Sequence, residues 1–417
     1  MTWTRRRILA AGVMLPAGNA LAANDRPNYA LIGCGGRGSS IARQSLQFGN
    51  LVAVCDVDAN HLAKGAALAP DLTAHKDFRR ILERKDVDVI INGTPDHWHT
   101  LINIAAMKAG KDVYAEKPLT LTVDEGRRLA RTVEQTKRIL QTGSQQRSDP
   151  RFRLAVDLVK NRKIGDLKRV VVGLPKAAYG GPFSAQPVPP ELDWDFYQGP
   201  TQLRDYTAER THFKYRHWYD YCSGPLTDWG CHHNDIAMWA LGMDHSGPVS
   251  VQGISYLDPV PGGYDVHSQF ALQYRYANGI TQTCVTMYTT QFGTTPLVVP
   301  TDMVNGVKFE GSEATVTVQR GKIESNRPEL LTEVPEVMSE RAHIANFFDC
   351  VRTRQQPMCP AEVGHRVASL GHIGAICLRL GGRPLRWDPD KEQFVGDAEA
   401  NKYLARPQRK PYTYEQI

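Results

Sequence analysis

The sequence predicts an α/β protein in two parts, a doubly wound parallel sheet followed by an open, mostly antiparallel sheet packed with helices. Three observations carry this. An apolar run from Tyr29 breaks into three spaced glycines, Gly33, Gly35 and Gly38. From Asp25 to about Gly143 short apolar strands alternate with helix-length segments, the pattern of parallel strands joined by right-handed crossovers. Beyond that point come segments with one apolar face, as expected of antiparallel sheet covered on one side.

Residues 1–23 read as an export leader. Thr4 to Leu9 reads TRRRIL, a short and mildly apolar stretch follows, and Ala20-Leu21-Ala22 supplies small residues for cleavage. Gly12 and Pro16 interrupt the apolar stretch, which is too short to span a membrane. Of 50 lysines and arginines, Arg5, Arg6 and Arg7 lie in this leader, which leaves 47 against 44 acidic residues, a balance of +3. That balance gives no electrostatic basis for binding nucleic acid or a membrane surface. The remaining chain, roughly 400 residues, suffices for two cores. Eight cysteines without C-x-x-C spacing read as buried thiols, with a disulfide still open in an oxidising compartment.

The first strand leads into the glycine loop, where Gly33 makes a tight turn, Gly35 lets a pyrophosphate approach the backbone, and Gly38 allows close helix packing. Gly36 and Arg37 complete the loop, and a helix N-terminus there favours anionic phosphate. A second strand, Leu51 to Cys55, ends in Asp56, near the offset at which a carboxylate meets the adenine ribose hydroxyls. Helices near Ala59 to Leu68 and Asp77 to Glu83, the strand Val87 to Asn92 and a helix from about Thr100 to Ala109 follow. Then come the strand Asp112 to Ala115, a helix from about Val123 to Lys137, and the strand Ile139 to Thr142. Together residues 24–145 predict a Rossmann domain that binds NAD, with Asp56 disfavouring a 2′-phosphate. Ligands bind at the carboxyl ends of such strands, where Thr94, Pro95 and His99 follow one strand and Glu116 and Lys117 another. All five join the glycine loop and Asp56 as candidate cofactor contacts.

The GCGGRG loop, Asp56, the TPDHWH turn, AMKAGKDVYAEKP (Ala106 to Pro118) and DWGCHHND (Asp228 to Asp235) together resemble the Gfo/Idh/MocA oxidoreductase family over nearly the whole mature chain. The likeness is strongest to a secreted branch with D-W-G-x-H-H and a tail like LRWDPDKEQFVGDAEANKYL (Leu385 to Leu404). The resemblance implies a C-terminal domain, here residues 146–386, whose sheet covers the nicotinamide, and catalytic roles for Lys117, Asp228 and His232. It also implies polyhydroxylated ring substrates.

Read from its residues alone, the second half agrees in outline. Leu167 to Val172, Val249 to Tyr256, Ser268 to Tyr276, Ile280 to Tyr288 and Val304 to Phe309 alternate as strands do. Phe152 to Asn161, His232 to Leu241, Arg341 to Val351 and Glu362 to Leu380 read as helices. Gly180 to Pro190 is a proline-rich loop, and residues 387–417 predict an irregular tail lying on the surface. A homo-oligomer through the C-terminal sheet is compatible with this plan.

Alcohol oxidation needs a hydride acceptor and a base near the hydroxyl. Lys117, at a strand end and followed by Pro118, is the candidate base, with a pKa that a cationic cofactor ring would lower. Asp228 and His232 are four apart, so the carboxylate is expected to orient the imidazole. Asp235, one turn on, together with Arg147, Tyr219 and Tyr221 are candidate substrate contacts. His97, His99, His212, His217, His232 and His233 concentrate near the site, yet no H-x-x-x-H or cysteine pairing closes a ligand set, so no metal is expected. Three functions follow: an NAD-dependent oxidoreductase acting on a sugar, cyclitol or sugar derivative; a glycoside-cleaving or sugar-rearranging enzyme that retains NAD and oxidises a ring carbon transiently; and a non-catalytic NAD-binding sensor. The paired arginines predict twin-arginine export of the folded, cofactor-loaded protein to the periplasm.

Overall fold

The computed structural model describes residues 26–286, 304–331 and 339–416. Six parallel strands, β1 (Asn28–Ile32), β2 (Asn50–Cys55), β3 (Thr73–His75), β4 (Val89–Asn92), β5 (Asp112–Ala115) and β6 (Leu140–Thr142), lie in the order β3-β2-β1-β4-β5-β6. β4 and β5 are buried along their whole length, because helix layers cover both faces of a parallel sheet. The strand order reverses between β1 and β4, which opens a crevice at their carboxyl ends. Helices α1 (Gly36–Ser45), α2 (Ala59–Ala66), α3 (Arg79–Leu82), α4 (Asp96–Lys108) and α5 (Val123–Thr136) make the returns. Asp58 caps α2 by accepting the Asn60 and His61 N–H groups, and Thr122 caps α5 through Glu125, each satisfying donors that the helix start leaves free.

Two differences from expectation have simple causes. α4 starts at Asp96 rather than Thr100, with extended Pro95 as its N-cap and an acidic residue in its first turn, so His97 and His99 stand on a helix and not in a turn. The edge strand β3 lacks an apolar run to announce it, since Thr73 and Ala74 are exposed.

Among the described residues the second sheet has nine strands: β7 (Leu167–Leu174), β8 (Ser250–Ser255), β9 (Phe270–Arg275), β10 (Thr281–Thr286), β11 (Gly306–Gly311), β12 (Thr315–Gln319), β13 (Lys322–Ser325), β14 (Leu385–Asp388) and β15 (Gln393–Phe394). Their order is β13-β12-β11-β7-β10-β9-β8-β14-β15. β7 and β10 run parallel, and the other neighbours are antiparallel. The helices are α6 (Pro150–Lys160), α7 (Trp194–Gln198), α8 (Gly230–Ala240), α9 (Ser339–Thr353), α10 (Ala361–Arg379) and α11 (Ala398–Asn401). α6, α8 and α10 bury the sheet in one large core, whereas α9 lays Phe347 and Phe348 against the first sheet. Of the expected strand Ile280 to Tyr288, the last two residues lie outside the described ones. All eight cysteines are buried free thiols.

The tail expected to be irregular is in part built into the sheet. β14 pairs with β8 and β15 with β14, burying Trp387 and Phe394. Farther on, the Arg409 guanidinium donates to Gly199 O at 3.0 Å, and Tyr412 stacks on Phe196 at 5.6 Å.

Between β7 and α8 the chain leaves the second sheet and crosses onto the first. Leu192 forms a bridge with Asp58, Ala59 N donates to Glu191 O (2.9 Å), and Asp193 N donates to Val57 O (3.1 Å). Trp98 Nε1 donates to Tyr197 O (3.0 Å). This crossing segment places residues 191–217 over the carboxyl ends of the parallel strands. Among the described residues no helix is long and apolar enough to cross a membrane.

Candidate active site

Both sheets and the crossing segment enclose a cavity of about 1030 Å³, within the size range of cofactor and small-molecule sites. Its floor is the glycine loop. Gly33 has φ +89°, and a Cβ there would meet the Gly93 backbone at 2.6 Å, so glycine is required for the turn. A Cβ on Gly38 would lie 2.1 Å from Gly33 O, whereas Gly35 and Gly36 face open space. Packing, turning and open backbone thus fall where the sequence assigned them, and the donors of the α1 N-terminus are free to hold a pyrophosphate.

Asp56 lines the same cavity. Its Oδ2 accepts Cys34 N–H (2.7 Å) and its Oδ1 accepts Asp58 N–H (2.9 Å), which fixes the carboxylate beside the loop. Burial pushes its pKa up against those donors. Arg37 does not turn toward Asp56. It pairs with Glu116 (3.1 Å) and with Glu340. Thr94 Oγ1 donates to Asn92 Oδ1 (2.7 Å), and Thr94 and Pro95 line the wall. His99 is a correction: it is 1 % exposed and off the wall, with its ring nitrogens 2.6 Å from Pro118 O and 2.8 Å from Thr94 O. From α4 it braces the two loops that carry the cofactor contacts and is itself shielded from the cavity.

Lys117, Asp228 and His232 line the same cavity. Lys117 Nζ donates to Asp228 Oδ1 (2.6 Å) and to Asp228 O (3.0 Å), and Arg216 Nε lies 3.4 Å from the same carboxylate oxygen. Burial draws the Lys117 pKa down, but the Asp228 and Glu116 carboxylates outweigh it and hold the ammonium above an ordinary lysine. Burial likewise opposes the charge on Asp228, yet Lys117 and Arg216 keep its pKa low. The expected Asp228 to His232 hydrogen bond is absent. Asp228 precedes α8, so it lies off the helical register that would stack it on His232, and it turns to Lys117. His232 Nδ1 is buried without a partner among the described residues. Burial, then Lys117 and Arg320, hold this imidazole well below its ordinary pKa, so it is neutral at pH 7.

The four substrate candidates do not reach the cavity. Arg147 and Asp235 form a buried ion pair, with Arg147 Nη2 2.6 Å from both Asp235 and Asp244, because α8 presents Asp235 to the helical core and not to the crevice. Tyr221 is fully buried beside His97 (4.9 Å between rings). Tyr219 lies between Arg379 (3.9 Å) and Arg406 (3.8 Å) on the outer side. Their places on the wall are taken by Tyr215 and Arg216 from the crossing segment, Trp229 and Gln146, and Arg320 from the tip of the β12–β13 hairpin, whose guanidinium lies 4.7 Å over Trp229. The basic, aromatic HFKYRHW run was visible in the sequence; a lone arginine in a hairpin turn gave no signal.

The arrangement can seat a dinucleotide between the loop and Asp56 and an alcohol against a cation and a neutral imidazole. Residues 27–144 match the family model described as "Oxidoreductase family, NAD-binding Rossmann fold", and residues 178–414 match "Oxidoreductase family, C-terminal alpha/beta domain", both of the Gfo/Idh/MocA group. Among curated relatives, a "Glycosyl hydrolase family 109 protein" of Solibacter usitatus is 34% identical over 135 residues, 29% of this chain and 31% of its own length. The chain thus spans under a third of the length of the curated relatives it matches. Among solved structures, a levoglucosan dehydrogenase in complex with NADH superposes with a TM-score of 0.64 at 18% identity, over 87% of this chain and 99% of that one. The aldose-aldose oxidoreductase of Caulobacter crescentus gives 0.61 at 17% identity, over 87% and 99%.

Proposed function

The chain belongs to the Gfo/Idh/MocA oxidoreductase family and binds NAD, and from that premise we propose that it moves hydride at a carbon of a sugar, cyclitol or sugar derivative. The observation that carries this reading is that Lys117, Asp228 and His232 share one cavity with the glycine loop and Asp56. Bound NAD supplies the hydride acceptor or donor. The chain's own groups handle the proton: the Lys117 ammonium, held by Asp228, stabilises an alkoxide on the substrate, and neutral His232 accepts the hydroxyl proton. In the reverse direction the same groups return a proton to the carbonyl oxygen. This reverses the base role expected for Lys117, because an amine bound to a carboxylate at 2.6 Å keeps its proton. The sheet-side wall, Trp229 and Arg320, supplies an apolar face and a cation for a polyhydroxylated ring. The test is a panel of sugars and polyols with the purified protein, read by nicotinamide absorbance and product analysis. Absence of both product and any nicotinamide redox change across the panel would instead support the sensor reading.

A second reading has its own observation. The crossing segment covers the cavity between the two sheets, an arrangement suited to a cofactor that stays bound through transient oxidation, cleavage or rearrangement and re-reduction of the sugar. The similarity to a glycosyl hydrolase family 109 protein over part of the chain favours it too. Release of an aglycone from a glycoside without net NADH would select this reading over a simple dehydrogenase.

A further inference from the structure

At the Asp56 end of the cavity three side chains converge that the hydride chemistry does not use. Asp58 and His61 lie at the N-cap and in the first turn of α2, and His212 comes from the crossing segment. One carboxylate oxygen and one nitrogen from each ring lie within 4.8 Å of one another. The rings meet edge to face at 4.6 Å, and His212 Nε2 is 3.5 Å from Asp58 Oδ2, longer than a good hydrogen bond. We propose that Asp58, His61 and His212 form a divalent-metal site suited to zinc, which ties the crossing segment to α2.

Four features support the site. First, the donor set is right: two imidazoles and one carboxylate, with positions left for water, is a set zinc accepts, and bonds of roughly 2.0–2.2 Å are reached by moving each atom less than about 1 Å. Second, the carboxylate is oriented before any ion arrives, because Asp58 Oδ1 accepts Asn60 N–H (2.8 Å) and His61 N–H (3.0 Å), leaving Oδ2 toward the rings; such outer bonds fix a ligand. Third, His212 sits at φ +51°, a left-handed conformation that non-glycine residues adopt at a cost and that accompanies functional geometry. Fourth, the local charge suits a cation: Asp56, 3.9 Å from His61, and Glu191 act with Asp58, against Lys64. The sequence hid the site because His212 lies 151 positions after His61; the backbone contacts of Glu191, Leu192 and Asp193 with residues 57–59 bring the two segments together.

The test uses the NAD-loaded protein, stripped of metal with EDTA and desalted. Zinc chloride is titrated calorimetrically, zinc content is measured after a second desalting, and melting is followed with and without zinc. The expected result is one zinc per chain, a melting temperature higher by several degrees and unchanged NAD content. His61→Gln and His212→Gln should each weaken zinc binding at least tenfold while melting like the metal-free parent. Asp58→Asn, which keeps an oxygen for the helix cap, should weaken it as well. The proposal is overturned by absence of saturable zinc binding to the parent, by binding that neither histidine substitution affects, or by binding that occurs only once NAD is removed. Loss of NAD from His212→Gln in a protein that binds no zinc would make these rings a cofactor wall and likewise overturn it.

Discussion

Lys117 keeps its proton and His232 lacks one although both are buried, because Lys117 touches a carboxylate whereas His232 feels the Lys117 and Arg320 cations. Asp228 has a depressed pKa, so its pairing stabilises the fold above the unfolded carboxylate value and is lost as pH falls through the folded one. Lys117 has a raised pKa, so its pairing is present below the unfolded lysine value and is lost as pH rises through the folded one. Between about pH 4 and 10 the pair is therefore intact, and with His232 as the proposed base the acid limb of kcat is expected below the ordinary imidazole value of about 6.5. A limb at or above that value would assign another base. Lys117→Met or His232→Asn should lower kcat by roughly 100-fold or more while NAD affinity stays within a few fold; near-normal turnover in either would remove that residue from the chemistry. Asp56 should make NAD bind at least about tenfold tighter than NADP, since a 2′-phosphate about 4 Å away meets up to about 4 kcal/mol of repulsion per charge at an effective dielectric near 20. Arg37 is committed to Glu116 and Glu340 and does not offset this. Equal dissociation constants for the two cofactors on the stripped protein would contradict the assignment. At this scale the sequence located residues where a motif ties a residue type to a backbone position, as with Gly33, Asp56 and Lys117, which all line the cavity. It misled where the only guide was nearness in sequence: Asp235, one turn after His232, points into the helical core.

Elements were legible where a period or a punctuation residue marks them. Five of the six parallel strands and the long helices fall within a few residues of expectation, whereas the edge strand β3 had no apolar run, and β12 and β13 passed unread although Thr315 to Gln319 alternates and Gly321 marks the turn. That omission also hid Arg320, because its place in the cavity depends on the hairpin and not on a neighbouring motif. Two substitutions test how elements are joined. Gly38→Ala sets a Cβ about 2.1 Å from Gly33 O, so the helix must shift from the strand; a loss of about 1–3 kcal/mol in stability should accompany a loss of bound NAD. Arg147→Met leaves Asp235 buried without its partner and should cost about 3–5 kcal/mol, seen as a lower denaturation midpoint with KM little changed. A large rise in KM with unaltered stability would return Arg147 to the substrate site.

At the scale of the whole molecule the two sheets do not work as independent units, because the crossing segment and the end of the tail both pack on the core of the first sheet, through Phe196, Tyr412 and Tyr414. A cofactor seated on the glycine loop would therefore lie beside the crossing segment, which is held to the first sheet through Glu191, Asp193 and Tyr197. We propose that the paired arginines and Ala20-Leu21-Ala22 form an export leader, in which case a protein exported already folded would carry its NAD into a compartment that cannot replace it. Hydride taken from one carbohydrate would then have to go back to it or on to a second one. The expected outcome is that protein recovered from the periplasm contains NAD(H), turns over glycosides or sugar pairs without added cofactor, and releases little NADH. Bound cofactor should also raise its melting temperature over that of stripped protein, by mass action on the native state. Turnover that requires free NAD and accumulates NADH in step with product would refute retention. Recovery of the unprocessed chain in the cytoplasm alone would refute export while leaving the chemistry of Lys117 and His232 standing.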